Sequence, residues 1–313
     1  MENIVNNIFI IGNGPMAAEY VKVLKKLNKP IYVIGRNESN CKKFTEEYKV
    51  ESKNTSIENL DLKNTIVINA VSFENLYSVN AALINAGAKI ILSEKPAGLN
   101  SDEITKLVEL KKNRDCNLFV AYNRRHFASV LKLKEILTVE KIQSAHFEFT
   151  EWSHIIEQLN KPAISLENWF YGNSTHIIDL FIDLAGLPKE ISSYKSGKLS
   201  WHSKGSIFSG AGITYKNIPF NYEANWESAG RWGLDICTEK GKYSLRPLEK
   251  LFFMPKGSVL QQEIEIVEPY SDLKPGLYNQ VSSLLNSEYS KLLSIEDHLI
   301  NCKSVYDIIL NGQ

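Results

Sequence analysis

The sequence predicts an α/β protein: a doubly wound parallel sheet first, then an α+β domain with an open, mainly antiparallel sheet. Three observations carry this reading. Up to about Tyr122, short apolar runs alternate with amphipathic stretches at helical spacing, as in a chain of right-handed strand–helix–strand crossovers. Beyond that point strand-like runs follow one another without helices between them, which implies antiparallel pairing. No stretch repeats, falls into low complexity or reads as a linker, so the 313 residues divide into two closely packed domains, 1–122 and 123–313.

Each element has its local reason. In the first domain, apolar runs place strands at 7–11, 31–34, 65–70, 89–92 and 117–122, with helices at 15–27, 38–48, 75–86 and 101–113. Gly87 follows the third helix as a left-handed cap, and Ser101 stands as N-cap of the fourth. In the second domain a helix is expected at 127–137 and a long strand at 142–150, then an irregular stretch through Asn168. A helix at 174–184, closed by Gly186 and Pro188, comes next. From Glu190 onward, Gly, Asn and Pro separate strands at 205–214, 220–226, 233–238 and 242–245, and helices at 278–287 and 295–310 finish the chain.

Composition removes several function classes. Lys plus Arg and Asp plus Glu are both 36, so no net field draws nucleic acid or an anionic membrane. No stretch approaches the roughly 20 apolar residues a bilayer span needs. The start of the chain lacks the basic and apolar regions of a signal peptide. Cys41, Cys116, Cys237 and Cys302 show neither metal nor redox spacing, and no histidine set has metal spacing. The expectation is a cytoplasmic protein with reduced thiols, without metal, nucleic acid or membrane partner.

The chemistry begins at Ile11-Gly12-Asn13-Gly14-Pro15-Met16-Ala17, which follows the first strand and opens the first helix. Gly12 permits the tight turn, Gly14 lets the backbone approach a pyrophosphate, and Ala17 stands in for a third glycine where helix meets strand. The N–H groups of the helix start then favour phosphate charge. After the second strand, where a free ribose 2′-hydroxyl usually meets Asp or Glu, this chain has Gly35, Arg36 and Asn37, with Lys42 and Lys43 nearby. A guanidinium suits a 2′-phosphate, so NADP is favoured over NAD. An arginine stacked on the adenine without discriminating is the competing reading.

A second signal is Ser93-Glu94-Lys95-Pro96, at the C-terminal end of the strand near residue 92. Ligands of open α/β sheets bind in the crevice at such strand ends. As an ammonium, Lys95 can hydrogen-bond a substrate hydroxyl and stabilise charge on its oxygen as hydride leaves the carbon. The candidate cofactor residues are thus Gly12, Gly14, Pro15, Met16, Arg36, Asn37, Ala70, Glu94 and Lys95.

Together with Tyr122-Asn123-Arg124-Arg125, His176-Ile177-Ile178-Asp179 and Gly241-Lys242-Tyr243, these motifs resemble the Gfo/Idh/MocA superfamily of NAD(P)-dependent oxidoreductases (glucose–fructose oxidoreductase and inositol dehydrogenase). The resemblance runs over nearly the whole chain. It implies a Rossmann domain followed by an α/β domain whose open sheet often forms the interface of a homo-oligomer, a dimer or tetramer. It makes Lys95 and His176 the catalytic pair, His176 acting as general acid/base or hydroxyl binder. Dehydrogenating members commonly carry aspartate four residues before that histidine; here the position is Gly172, so a base helped by that carboxylate is missing unless another acid reaches in. Asp179 reads equally as a structural partner.

For substrate, the candidates are Tyr122, Arg124, Tyr171, Asn173 and His176. Arg124 and Arg125 suit a phosphate or carboxylate, or one of them closes an interdomain salt bridge. Aromatic faces suit the C–H faces of sugars, so Trp152, Trp169 and Tyr171 are expected to line a carbohydrate site, and Trp201, Trp226 and Trp232 to pack. The expected activity is hydride transfer between the nicotinamide and a carbinol or ketone carbon of a sugar, sugar phosphate or nucleotide sugar. The alternatives are a redox-assisted glycosidase or epimerase with a retained cofactor, and a non-catalytic nucleotide-binding regulatory protein.

Overall fold

A computed structural model of the protein describes residues 7–312; positions 1–6, read above as no signal peptide, and position 313 lie outside it. The chain forms two compact units. One comprises the residues up to Tyr122 together with Tyr270–Leu299, the other Asn123–Pro269 with the residues from Ile300 onward.

The first unit holds β1 (Asn7–Ile11), β2 (Ile31–Gly35), β3 (Ser52–Asn54), β4 (Thr65–Asn69), β5 (Ile90–Glu94) and β6 (Asn117–Ala121). They lie in the order β3-β2-β1-β4-β5-β6, all parallel, and Leu293–Ser294 adds a short antiparallel edge beside β6. The order reverses between β1 and β4, the switch point of a doubly wound sheet. β3 was not legible in the sequence because Ser52-Lys53-Asn54 has no apolar residue; its pairing with β2 is made by backbone. Four helices, α1 (Pro15–Lys26), α2 (Glu38–Tyr48), α3 (Leu76–Asn85) and α4 (Ser101–Lys111), follow β1, β2, β4 and β5. The cap of α4 is Asn100, whose side chain accepts from the Glu103 N–H, so Ser101 is the first helical residue and not the cap.

The expected single boundary after Tyr122 is corrected by the return of the chain. Leu273, Leu277, Val281, Leu284 and Leu292 are buried in one cluster with Ala17, Tyr20, Val21 and Leu24 of α1. Helix Leu277–Leu285 closes an apolar face that the first 122 residues leave uncovered.

The second unit is built on β7 (Ile142–Glu148), β8 (Pro188–Ser196), β9 (Ile207–Thr214), β10 (Pro219–Asn225), β11 (Gly233–Thr238), β12 (Gly241–Leu245), β13 (Leu251–Pro255) and β14 (Gln262–Ile264). Their order is β14-β13-β12-β11-β7-β10-β9-β8, antiparallel throughout except for the parallel pair β7–β10. Alternate residues of β7 and β10 turn Phe147, Phe220 and Tyr222 to one face, where Phe181 of helix Thr175–Ala185 packs 4.8 Å from Phe147 and 4.7 Å from Phe220, ring centre to ring centre. A π-helical turn, Phe170–Ser174, leads into that helix. A second one, Cys302–Tyr306, interrupts the helix expected over 295–310. Among the described residues no helix is long and apolar enough to cross a membrane.

Candidate active site

The nucleotide turn sits at the switch point. Gly12 has φ of +108°, and a Cβ there would lie 2.7 Å from the Ala70 carbonyl oxygen at the end of β4. Only glycine fits, because the turn presses β1 against the strand across the crevice. Gly14 differs: a Cβ there would meet nothing within 4 Å. The space in front of it is open, and Gly14 caps α1 without any side-chain bond, leaving the first-turn N–H groups of the helix for an anionic ligand. Pro15 at the first helical position costs nothing there, since its missing N–H would be unsatisfied in any case. This cradle fits a dinucleotide pyrophosphate.

Gly35 has a separate cause. A Cβ would fall 2.5 Å from the Asn13 amide nitrogen and 2.7 Å from the Cys41 sulfur, so the end of β2 has no room for an acidic side chain. Arg36 and Asn37 are exposed beyond it. The Asn37 oxygen accepts from the Asn40 N–H as the cap of α2. Beside the turn runs a groove lined by Asn13, Gly14, Pro15, Asn40, Lys43, Phe44, Glu47 and Tyr48. Lys42 pairs with Glu38 at 3.5 Å, whereas Lys43 makes no ion pair among the described residues. Met16 packs on the core and its sulfur lies 3.0 Å from Lys274 Nζ.

The loop that carries Lys95 is held from several sides of the same unit. The Tyr20 hydroxyl donates to Glu94 at 2.6 Å. Burial pushes the Glu94 carboxyl above its ordinary range, opposed by that bond and by Lys95. Asn80 donates to Ser93 Oγ at 2.8 Å and to the Ala97 carbonyl at 3.1 Å, and itself accepts from Asn69 at 2.8 Å. A nitrogen of the His298 ring lies 3.0 Å from the Pro96 carbonyl oxygen, and Glu103 accepts from the Leu99 N–H at 2.7 Å. Tyr122 is buried against the His298 ring, 5.5 Å away, and is part of this support. Asn69, Asn80 and His298 were not singled out in the sequence. Buried amides and imidazoles spaced over 200 residues leave no local pattern.

In the second unit His176 is 4% exposed on helix Thr175–Ala185, its ring 5.8 Å from the indole of Trp232. Arg124 lies over the same indole at 4.7 Å and Arg231 at 5.3 Å; Arg231 also lies 4.7 Å from Trp152. Trp232, expected only to pack, is therefore the centre of this cluster. Trp169 packs edge-on against Trp201, which lies parallel to Trp226. Tyr171 is buried and donates its hydroxyl to Asp307 at 2.6 Å.

Asp179 accepts both arms of Arg125 at 2.7 Å, and Asp183 adds a contact at 3.3 Å. Burial works against the Arg125 charge, but the two carboxylates outweigh it and hold the guanidinium protonated. The partner of Arg125 thus lies in its own unit, not across a domain boundary.

An acid does reach the turn before His176. Glu151, 1% exposed, accepts from the Asn173 amide at 3.0 Å with each oxygen and from Ser174 Oγ at 2.8 Å. Burial raises its pKa to about 7, with these bonds and Arg231 pulling the other way. Asn173 is occupied by this carboxylate. Sequence reasoning missed Glu151 because it lies 21 positions before Gly172 and only folding brings the two segments together. Among the described residues no group of three His, Cys, Asp or Glu side chains is placed to hold a metal.

A glycine turn and uncapped helix at the switch point of a 3-2-1-4-5-6 sheet define a dinucleotide-binding protein. Residues 6–122 match the Gfo/Idh/MocA model, an oxidoreductase family with an NAD-binding Rossmann fold. Oxidoreductase P35 of Formosa agariphila is 28% identical over 226 residues, 68% of each chain. A dehydrogenase of Clostridium difficile has the same fold with a TM-score of 0.78 at 20% identity, over 97% of this chain and 98% of that one. A levoglucosan dehydrogenase in complex with NADH and levoglucosan does so with 0.75 at 15%, over 97% and 96%. Residues 6–122 thus match the NAD-binding Rossmann model of the Gfo/Idh/MocA oxidoreductases, and the chain as a whole shares the fold of these dehydrogenases.

Proposed function

We propose that the protein moves hydride between a nicotinamide cofactor and a carbinol or ketone carbon of a small, carbohydrate-like molecule. The observation that carries this is the clamped loop around Lys95. Side chains from four helices hold it, Asn80, Glu103 and His298 by its backbone and Tyr20 through Glu94, which is the preparation a catalytic ammonium needs. The cofactor, held at Gly12–Met16, supplies or takes the hydride. Lys95 hydrogen-bonds the reacting oxygen and stabilises its charge. His176 binds the hydroxyl or exchanges its proton, with Trp232 beside its ring.

NADP is the preferred cofactor in this reading. Position 35 excludes an acid, and Arg36 and Lys43 supply cationic donors on the side where a 2′-phosphate would lie. Reduction of a ketone is the favoured direction, since Lys95 as an ammonium can donate the proton. The sugar-like class is supported by the levoglucosan dehydrogenase of the same fold. Pairing of the open sheet into a dimer or tetramer, in the cytoplasm, completes the proposal. The test is purified protein titrated with each cofactor by calorimetry and then assayed by nicotinamide absorbance against sugars and ketosugars. Cofactor turnover with a sugar or ketosugar supports the reading. Tight cofactor binding without turnover on any of them would overturn it.

A further inference from the structure

We propose that Lys274, carried back into the first unit by the returning segment, binds the diphosphate of the dinucleotide held at the Gly12–Met16 turn. The inference rests on the dinucleotide reading of that turn and is independent of the substrate and of the reaction.

Helix α1 meets such a ligand with little charge of its own. A helix start is worth about half an elementary charge, whereas each phosphate of a dinucleotide is an anion. Gly14 caps α1 without a side-chain bond, and Pro15, Met16 and Ala17 open the helix. The turn before it, Gly12-Asn13-Gly14, holds no basic residue either. A full counter-charge therefore has to come from another segment of the chain. Lys43 lies in the groove along α2, on the side where a 2′-phosphate is expected.

Lys274 stands on the other side of the turn. Its Nζ lies 3.0 Å from the sulfur of Met16, the second residue of α1. A thioether is a weak, neutral acceptor, so this contact places the ammonium without neutralising it. The side chain is exposed and forms no ion pair within 4 Å among the described residues. It also acts on the end of β5: burial pushes the Glu94 carboxyl up, and Lys274 is among the groups that pull it back. That carboxyl already accepts the Tyr20 hydroxyl. The ammonium thus stands between the nucleotide turn and the loop of Lys95, along the carboxyl ends of β1 and β5. Ligands of doubly wound sheets lie there.

The backbone beneath it is fixed. Leu273 and Leu277, on either side, are buried in one cluster with α1. The Lys274 carbonyl accepts from the Leu277 N–H at 3.2 Å, and Lys26 of α1 pairs with Asp272 at 3.4 Å. A long side chain hung from a fixed point over a helix start loses less freedom on meeting a phosphate than one on a mobile loop.

Calorimetry of the full chain with ADP-ribose, NADH and NADPH reads this contact, since ADP-ribose has the diphosphate and lacks the nicotinamide. Lys274→Met removes the charge and keeps an apolar neighbour for Met16. It should weaken all three ligands by a similar factor, about ten- to a hundredfold, the scale of one charge-assisted pair. Lys274→Arg should recover most of that loss. The ligand-free melting temperature should change little in either variant. Unchanged affinity for ADP-ribose in Lys274→Met would overturn the inference, because the ammonium then serves Glu94 or the nicotinamide half instead. A lower ligand-free melting temperature with all affinities intact would overturn it too and make Lys274 a structural residue. A natural protein that binds none of the three ligands sinks the dinucleotide reading itself, and this inference with it.

Discussion

At the scale of single residues, the two functional lysine and arginine positions have opposite environments, and their variants should differ accordingly. Lys95 stands on a loop held by Tyr20 and Asn80, so in Lys95→Ala those supports remain. Turnover should fall by about a hundredfold or more, the scale of one lost transition-state donor, with melting temperature and cofactor affinity nearly unchanged. His176→Asn should cost less, if the ammonium is the proton donor. Steady-state rates of both variants on the same ketone give the order, and a larger loss at His176 reverses the assignment. Arg36 is exposed and its loss should cost no stability. Arg36→Ala should weaken NADP(H) by about 1.5–3 kcal/mol and leave NAD(H) alone, as read by calorimetry of both cofactors. Equal loss for both would mean that Arg36 stacks on the adenine and does not discriminate.

At the scale of the element, the π-helical turn Phe170–Ser174 depends on one buried carboxyl. Glu151 joins Asn173 and Ser174 from the segment after β7. Its pKa rises from the ordinary 4.5 to about 7 because burial disfavours the charge. Between those values the folded protein holds a proton that the unfolded chain has lost. That contribution is complete below about pH 4.5 and is lost as pH rises through about 7, on the order of 3 kcal/mol in all. Glu151→Gln has no proton to lose. Melting temperature followed across this window should fall more steeply with pH for the natural protein than for the variant. Parallel curves would place the carboxyl in an ordinary, solvated setting.

At the scale of the whole molecule, the first unit is discontinuous in sequence. A chain cut after Tyr122 would expose the α1 surface that Leu277, Val281 and Leu284 cover. Each such side chain contributes about 1.5–3 kcal/mol by burial, so their joint loss is comparable to the stability of a small domain. The 1–122 fragment should bind hydrophobic dye and melt without a cooperative transition. Joining residues 270–299 to it should restore a sharp melt and cofactor binding. A fragment 1–122 that folds by itself would show that the returning helix is an accessory.

Patterns that are local were legible in the residues themselves. The alternation that makes the parallel sheet, the turn from Gly12 to Ala17 and the run into Lys95 are each written in fewer than about fifteen consecutive positions, where periodicity and turn chemistry act. Residue identity also fixed the absence of an acid after β2, where Arg36 and Asn37 stand. The tertiary structure alone decided the rest. Tyr171 went to Asp307, Asn37 to a helix cap and Trp232 to the centre of the cation cluster. Glu151 came to the turn before His176, and residues 270–299 returned to the first unit. A buried polar side chain is satisfied by whichever partner the packing brings within 3 Å, and partners separated by tens or hundreds of positions leave no periodic trace.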